Sequence, residues 1–165
     1  MSARTRHGGQ CPDFSDPRDA AALLAQARAL VVAKAQAGQS LMKGKRLALV
    51  SASEPDETAL EFAQAATALG AHVSFLRPGL DERSSARQVD ATASMLGRLY
   101  DAVECQQLPA TLVRRLALGA GIPVFAGLAT PGHPTSALVA QLDGDASAAL
   151  KRRCILQAAL LISIT

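Results

Sequence analysis

A chain of 165 residues suits one domain whose core needs neither metal nor disulfide to hold it. It is 49% hydrophobic but only 3% aromatic, with no tryptophan, which favours closely packed Ala- and Leu-rich helices over a broad aromatic binding face. The net charge of +3 comes from scattered basic residues with no aromatics between them, which argues against a nucleic-acid surface.

The elements follow in chain order. Residues 1–14 predict a disordered lead-in; it carries Arg4 and Arg6 but no apolar stretch before Pro12, so no secretory signal is expected. Asp16 and Pro17 form an N-cap and first helical position, and Ala20, Leu23, Leu24, Ala27, Leu30 and Val31 keep helical spacing up to a stop at Gly38. A first strand spans Arg46–Ser51, and a second helix runs from about Pro55 to Leu69. His72–Phe75 reads as strand, Ala86–Leu99 as helix, Ala102–Cys105 as strand, Pro109–Leu118 as helix and Val124–Ala126 as strand. A Gly/Pro loop, 127–134, then opens a helix through about Leu142. The tail joins Lys151-Arg152-Arg153 to an apolar run that is too short to span a bilayer and is expected to pack as a helix or to self-associate.

Short apolar strands alternating with helices predict an α/β three-layer sandwich around a four-stranded parallel sheet. Residues 15–142 form the domain, and 143–165 a C-terminal helical tail. Ligands in such sheets bind at the carboxyl ends of strands, here Ser51–Thr58, Cys105–Leu108 and Leu128–His133. The widely spaced Cys11, Cys105 and Cys154 form no CxxC, so reduced thiols in a cytoplasm are expected and neither a zinc site nor any cofactor is.

The junction after the first strand carries the most chemistry. A helix N-terminus there presents free N–H groups and partial positive charge to an anion. This chain places Glu54, Asp56 and Glu57 in that spot. Ser53 with Asp56 approximates a capping box, and first-turn acids complement the helix dipole. A carboxylate about 5 Å from a unit of phosphate charge repels it by roughly 3 kcal/mol at an effective dielectric near 20. The alternative is a cation site, with Glu54, Asp56, Glu57 and His133 converging on a divalent metal or an amine.

Several stretches in one collinear order carry a family likeness: Leu41-Met-Lys-Gly-Lys-Arg-Leu-Ala-Leu-Val50, Phe62 with Ala65-Ala66, Leu69-Gly-Ala-His-Val73, Leu96-Gly-Arg-Leu-Tyr-Asp-Ala-Val-Glu104, Gly121-Ile-Pro-Val-Phe-Ala-Gly-Leu128 and His133-Pro-Thr135. Over roughly residues 20–142 the chain resembles the carbamoyl-phosphate-binding N-terminal domain of ornithine and aspartate carbamoyltransferases, closer to the ornithine branch. The family places Ser-Thr-Arg-Thr-Arg at the second helix N-terminus to hold phosphate; this chain reads Pro55-Asp56-Glu57-Thr58-Ala59 there, keeping only Thr58. The family's Arg after the third strand corresponds to Gln106, and its His-Pro-x-Gln motif becomes His133-Pro134-Thr135-Ser136. His133 is the vestigial catalytic candidate.

The resemblance implies a carbamoyltransferase-type domain that is non-catalytic on its own, with doubtful binding of carbamoyl phosphate and a tail in place of the second, amino-acid-binding domain. It also implies partners, either a homotrimer or a complete carbamoyltransferase. An active enzyme completed in trans by another chain is the alternative. Neither nucleic-acid nor membrane partners are expected.

Overall fold

The computed structural model describes residues 11–33 and 40–165. The element order is α1 (Pro17–Ala33), β1 (Arg46–Ser51), α2 (Glu57–Ala68), β2 (His72–Leu76), α3 (Ala86–Leu99), β3 (Ala102–Gln106), α4 (Ala110–Ala120), β4 (Val124–Ala126), α5 (Pro134–Leu138), a 3-10 turn (Val139–Gln141) and α6 (Ala148–Ile164). The expected four-stranded parallel sheet is present, in the order β2-β1-β3-β4.

Strand alternation divides the core in two. Ala48 and Val50 of β1 and Val103 and Cys105 of β3 face Val89, Ala93 and Leu96 of α3 and Leu112, Val113 and Leu116 of α4. Leu47 and Leu49 face the opposite way, into a larger cluster made with α1, α2 and α6. Helices therefore cover both faces of the sheet, completing the three layers. β1 is buried at every position after Arg46, as a central strand covered on both sides must be.

The tail is structural. Ser147 caps α6 by accepting from Leu150 N, and Cys154 through Leu161 are all buried, with α6 packed on α1 and α2. A helix apolar on all sides belongs in an interior, not on a surface. Its one buried polar side chain, Gln157, donates to Ala65 O at 3.2 Å. Among the described residues no helix is long and apolar enough to cross a membrane.

Several boundaries differ from the sequence reading for local reasons. Residues 1–10 and the expected stop at Gly38 lie outside the described residues. Within the expected lead-in, Phe14 is 5% exposed in the core and Cys11 Sγ donates to Val124 O at 3.2 Å, so packed structure begins by Cys11. Helix α2 starts at Glu57, after Pro55, because Asp56 takes the cap position. Helix α4 runs past Gly119 to Ala120 and ends at Gly121, whose φ of 68° is the left-handed C-cap conformation. The helix after His133 is shorter than expected and tightens into a 3-10 turn.

Candidate functional site

The connection from β1 turns to one side of the sheet and that from β3 to the other, leaving a crevice between their carboxyl ends, where Ser51 pairs with Gln106. Four segments meet there: the β1–α2 loop, the β3–α4 loop, the first turn of α2, and the loop from β4 to α5.

Asp56 dominates the first of these. Its Oδ1 accepts Ala59 N at 3.0 Å and the Thr58 hydroxyl at 2.7 Å, so an internal carboxylate occupies the helix N-terminus. The hydroxyl and amide donors hold its carboxyl below the usual carboxylate range. The capping expectation is correct in kind, but the partners differ from a Ser53–Asp56 capping box. Asp56 is itself the N-cap, and Ser53 Oγ instead donates to Gln107 Oε1.

Gln107 is one residue that sequence reasoning missed. It has a φ of 56°, alone among the described non-glycine residues in having a positive φ. That backbone aims its amide across the crevice, where Nε2 donates to Asp56 Oδ2 at 3.2 Å while Oε1 takes the Ser53 hydroxyl. Nothing in a Gln-Gln pair signals a left-handed residue, so the sequence alone offered no way to find it.

Gln106, aligned with the family's arginine, points inward and is 3% exposed. Its Oε1 lies 3.2 Å from Thr58 Oγ1, and Nε2 is buried with no partner. The Thr58 hydrogen goes to the nearer, charged Asp56 oxygen. Turning the Gln106 amide over would let Nε2 donate to Thr58 and leave a carbonyl oxygen as the unpaired atom.

Below the crevice Glu104 is fully buried. Oε1 accepts Gly127 N at 2.7 Å, and Oε2 accepts Leu128 N at 2.9 Å. Burial outweighs these donors and pushes its carboxyl up to about 8. Glu104 thus anchors the loop that carries His133.

His133 is the N-cap of α5, with Nδ1 accepting Thr135 N at 3.2 Å. Nδ1 also lies 2.9 Å from Thr135 Oγ1, a contact in which the ring nitrogen accepts or donates according to its tautomer. Half-buried surroundings lower its pKa, which keeps the imidazole neutral. Ser136 turns its hydroxyl to Pro131 O at 2.6 Å and His133 O at 2.9 Å. Pro55 precedes the cap, and Ala59 supplies its backbone N–H.

The cation site envisaged from Glu54, Asp56, Glu57 and His133 does not form. Glu54 turns away to Arg77, Asp56 caps α2, and His133 caps α5. Among the described residues no group of three or more His, Cys, Asp or Glu could hold a metal ion. Glu57 instead lines a cavity of about 570 Å³ between α2, the 128–131 loop, α5 and α6.

The chain belongs to the aspartate/ornithine carbamoyltransferase family: residues 6–142 match its carbamoyl-P binding domain. The ornithine carbamoyltransferase of Cutibacterium acnes is 39% identical over 100 residues, covering 61% of this chain and 30% of that one. A catabolic ornithine carbamoyltransferase of Mycoplasma capricolum subsp. capripneumoniae is 38% identical over 128 residues, 76% of this chain and 40% of its own. The crystal structure of ornithine carbamoyltransferase from Thermus thermophilus superposes with a TM-score of 0.61 at 27% identity, covering 78% of this chain and 45% of that one. The chain therefore spans less than half the length of these relatives.

Proposed function

We propose that this chain is a carbamoyltransferase-family domain that does not transfer a carbamoyl group by itself, and that it serves as a structural, regulatory or ligand-binding partner of other chains in the cytoplasm. The observation that carries this reading is the Asp56 carboxylate seated on Ala59 N and the Thr58 hydroxyl. A phosphate at that helix N-terminus would have to displace a carboxylate already bound there and then meet Glu57 beside it. Gln106 and Ser136, in the positions aligned with the family's Arg and Gln, supply no positive charge to offset this.

Titration calorimetry of the folded chain with carbamoyl phosphate, beside a His133→Ala control, tests the reading. No heat at millimolar ligand is expected. Submillimolar binding that the control loses would overturn it, and carbamoyl transfer to ornithine only on mixing with a separately supplied second domain would favour the alternative of an enzyme completed in trans. Association as a homotrimer or with a complete carbamoyltransferase is the companion proposal. A monomer in light scattering at tens of micromolar (a range set by weak oligomers, about −6 kcal/mol) would sink the homotrimer.

A further inference from the structure

The outer faces of α3 and α4 hold the excess charge of the whole chain. The formal net charge is +3. On these two helices Arg87, Arg98, Arg114 and Arg115 stand against Asp90 alone, an excess of three, so the rest of the chain is balanced. Basic residues that look scattered along the sequence thus leave their surplus on one layer of the fold.

Spacing and packing make one surface of it. Arg87, Ala91, Ser94 and Arg98 keep to one face of α3, and Thr111, Arg114, Arg115 and Leu118 to one face of α4. The helices meet so closely that a Cβ on Gly119 would lie 2.8 Å from Ala93 Cβ, so no side chain stands between them there. Arg87, Arg98 and Arg114 are exposed and Arg115 is half-buried. Among the described residues none of the four makes an ion pair or a side-chain hydrogen bond. Leu118 beside them is 88% exposed, more than any other large hydrophobic residue described.

Unpaired guanidinium groups around an exposed aliphatic side chain suit a surface that brings carboxylates. The guanidinium fork binds a carboxylate with two hydrogen bonds, and arginine is enriched at protein interfaces. A second copy of this chain would bring the same excess charge to the contact. A nucleic acid would leave Leu118 without a counterpart, and neither helix has an aromatic side chain for a base to stack on. An anionic membrane takes helices with a free apolar face, and here Leu112, Val113 and Leu116 are spent on the sheet.

We infer that the outer face of α3 and α4 docks an acidic segment of another protein, its carboxylates on the four arginines and an aliphatic side chain on Leu118. This face lies across the sheet from α2 and α6, so docking there does not depend on what the crevice binds. It gives a partner chemistry to a chain proposed above to act through other chains. Carbamoyl phosphate reports on that reading, and an acidic peptide reports on this face.

The full chain is titrated with a synthetic amphipathic helix of Glu and Leu, a twin with Lys for Glu and a twin with Ala for Leu, followed by amide chemical shifts. The Glu/Leu peptide should saturate below millimolar concentration and move the amides of residues 86–99 and 110–120. The Lys twin should move none of them, and the Ala twin should bind more weakly. Arg114→Gln, an exposed change that leaves the packed face of α4 untouched, should weaken binding about tenfold, the effect of one charge-assisted hydrogen bond. Leu118→Ser should weaken it without changing the preference for Glu over Lys. Equal binding to wild type and Arg114→Gln, equal binding of the Lys twin, or no saturable shift would overturn the assignment. Duplex DNA or phosphatidylserine vesicles moving the same amides at lower concentration than the Glu/Leu peptide would overturn it too.

Discussion

Gln107 Nε2 donates to Asp56 Oδ2 at 3.2 Å, tying the loop after β3 to the cap of α2 across the carboxyl end of the sheet. The bond is made from a left-handed backbone, φ 56°, that a side-chain-bearing residue adopts at a cost. The two effects separate by mutation. Gln107→Ala loses both amide bonds and keeps the unfavourable backbone, whereas Gln107→Gly loses the bonds and relieves it. The expected outcome in urea unfolding is that the alanine variant is less stable than the glycine variant by about 1 kcal/mol. The reverse order would mean that the backbone at 107 carries no strain.

Asp56 should act as a cap and as an acid-sensitive group. Its carboxyl is held low in the folded chain by the Thr58 hydroxyl and Ala59 N–H. The stability it contributes is therefore present above its unfolded value near 3.8 and is lost as pH falls through the folded one. Asp56→Asn keeps an acceptor for Ala59 N, and Asp56→Ala does not. Thermal melts at pH 7 should show the alanine variant lowered by a few degrees and the asparagine variant by less. As pH falls through the folded value of the carboxyl, the wild type should drop to the level of the asparagine variant, while the alanine variant stays below both.

Glu104 predicts a pH slope of the opposite sign. Its carboxyl moves from 4.5 to about 8 on folding, so the folded chain holds a proton that the unfolded chain has released. The contribution is fully present below pH 4.5 and declines as pH rises toward about 8. Glu104→Gln keeps one oxygen for Gly127 N and cannot ionise. Chemical denaturation from pH 5 to pH 8 should show the wild type losing stability relative to the glutamine variant. A parallel pair of curves would show that the carboxyl is ionised throughout, held by its backbone donors.

Gly97 sets the spacing of α3 and α4. A Cβ built there would lie 2.0 Å from Ala120 O, a backbone atom that cannot swing aside. Alanine would gain up to about 1 kcal/mol of helix propensity. The overlap forces the helices apart, which costs more, so Gly97→Ala should lose about 2 kcal/mol net in urea unfolding.

The sequence carried the fold because periodic burial carried it. Leu47, Ala48, Leu49 and Val50 form a continuous apolar run, which marks a strand covered on both faces, and Ala86–Leu99 keeps helical spacing between clear ends. It carried the nearness of Asp56, Thr58 and Gln106, because strand ends in a parallel sheet converge on one side. It did not carry their pairings. Ser53 bonding Gln107, Glu54 turning to Arg77 and Gln106 facing inward are all decided by loop backbones, above all the left-handed Gln107, that leave no periodic trace. Nor did it mark Glu104, an acid in an otherwise buried strand whose partners lie on the next loop.

His133 caps α5 through its ring nitrogen, so the tautomer and charge of the imidazole bear on that helix. Nδ1 accepts Thr135 N at 3.2 Å, so protonating that nitrogen would remove the cap. Burial lowers its folded pKa below 6.5, and the stability it contributes is present above that value and lost as pH falls through the folded one. This slope runs against that of Glu104, and the His133→Ala variant separates them. Nitrogen-15 shifts of the imidazole at pH 7 should show a neutral ring protonated on Nε2. A ring protonated on Nδ1 would mean that Thr135 N is not its donor, and that His133 keeps no N–H directed away from the α5 cap.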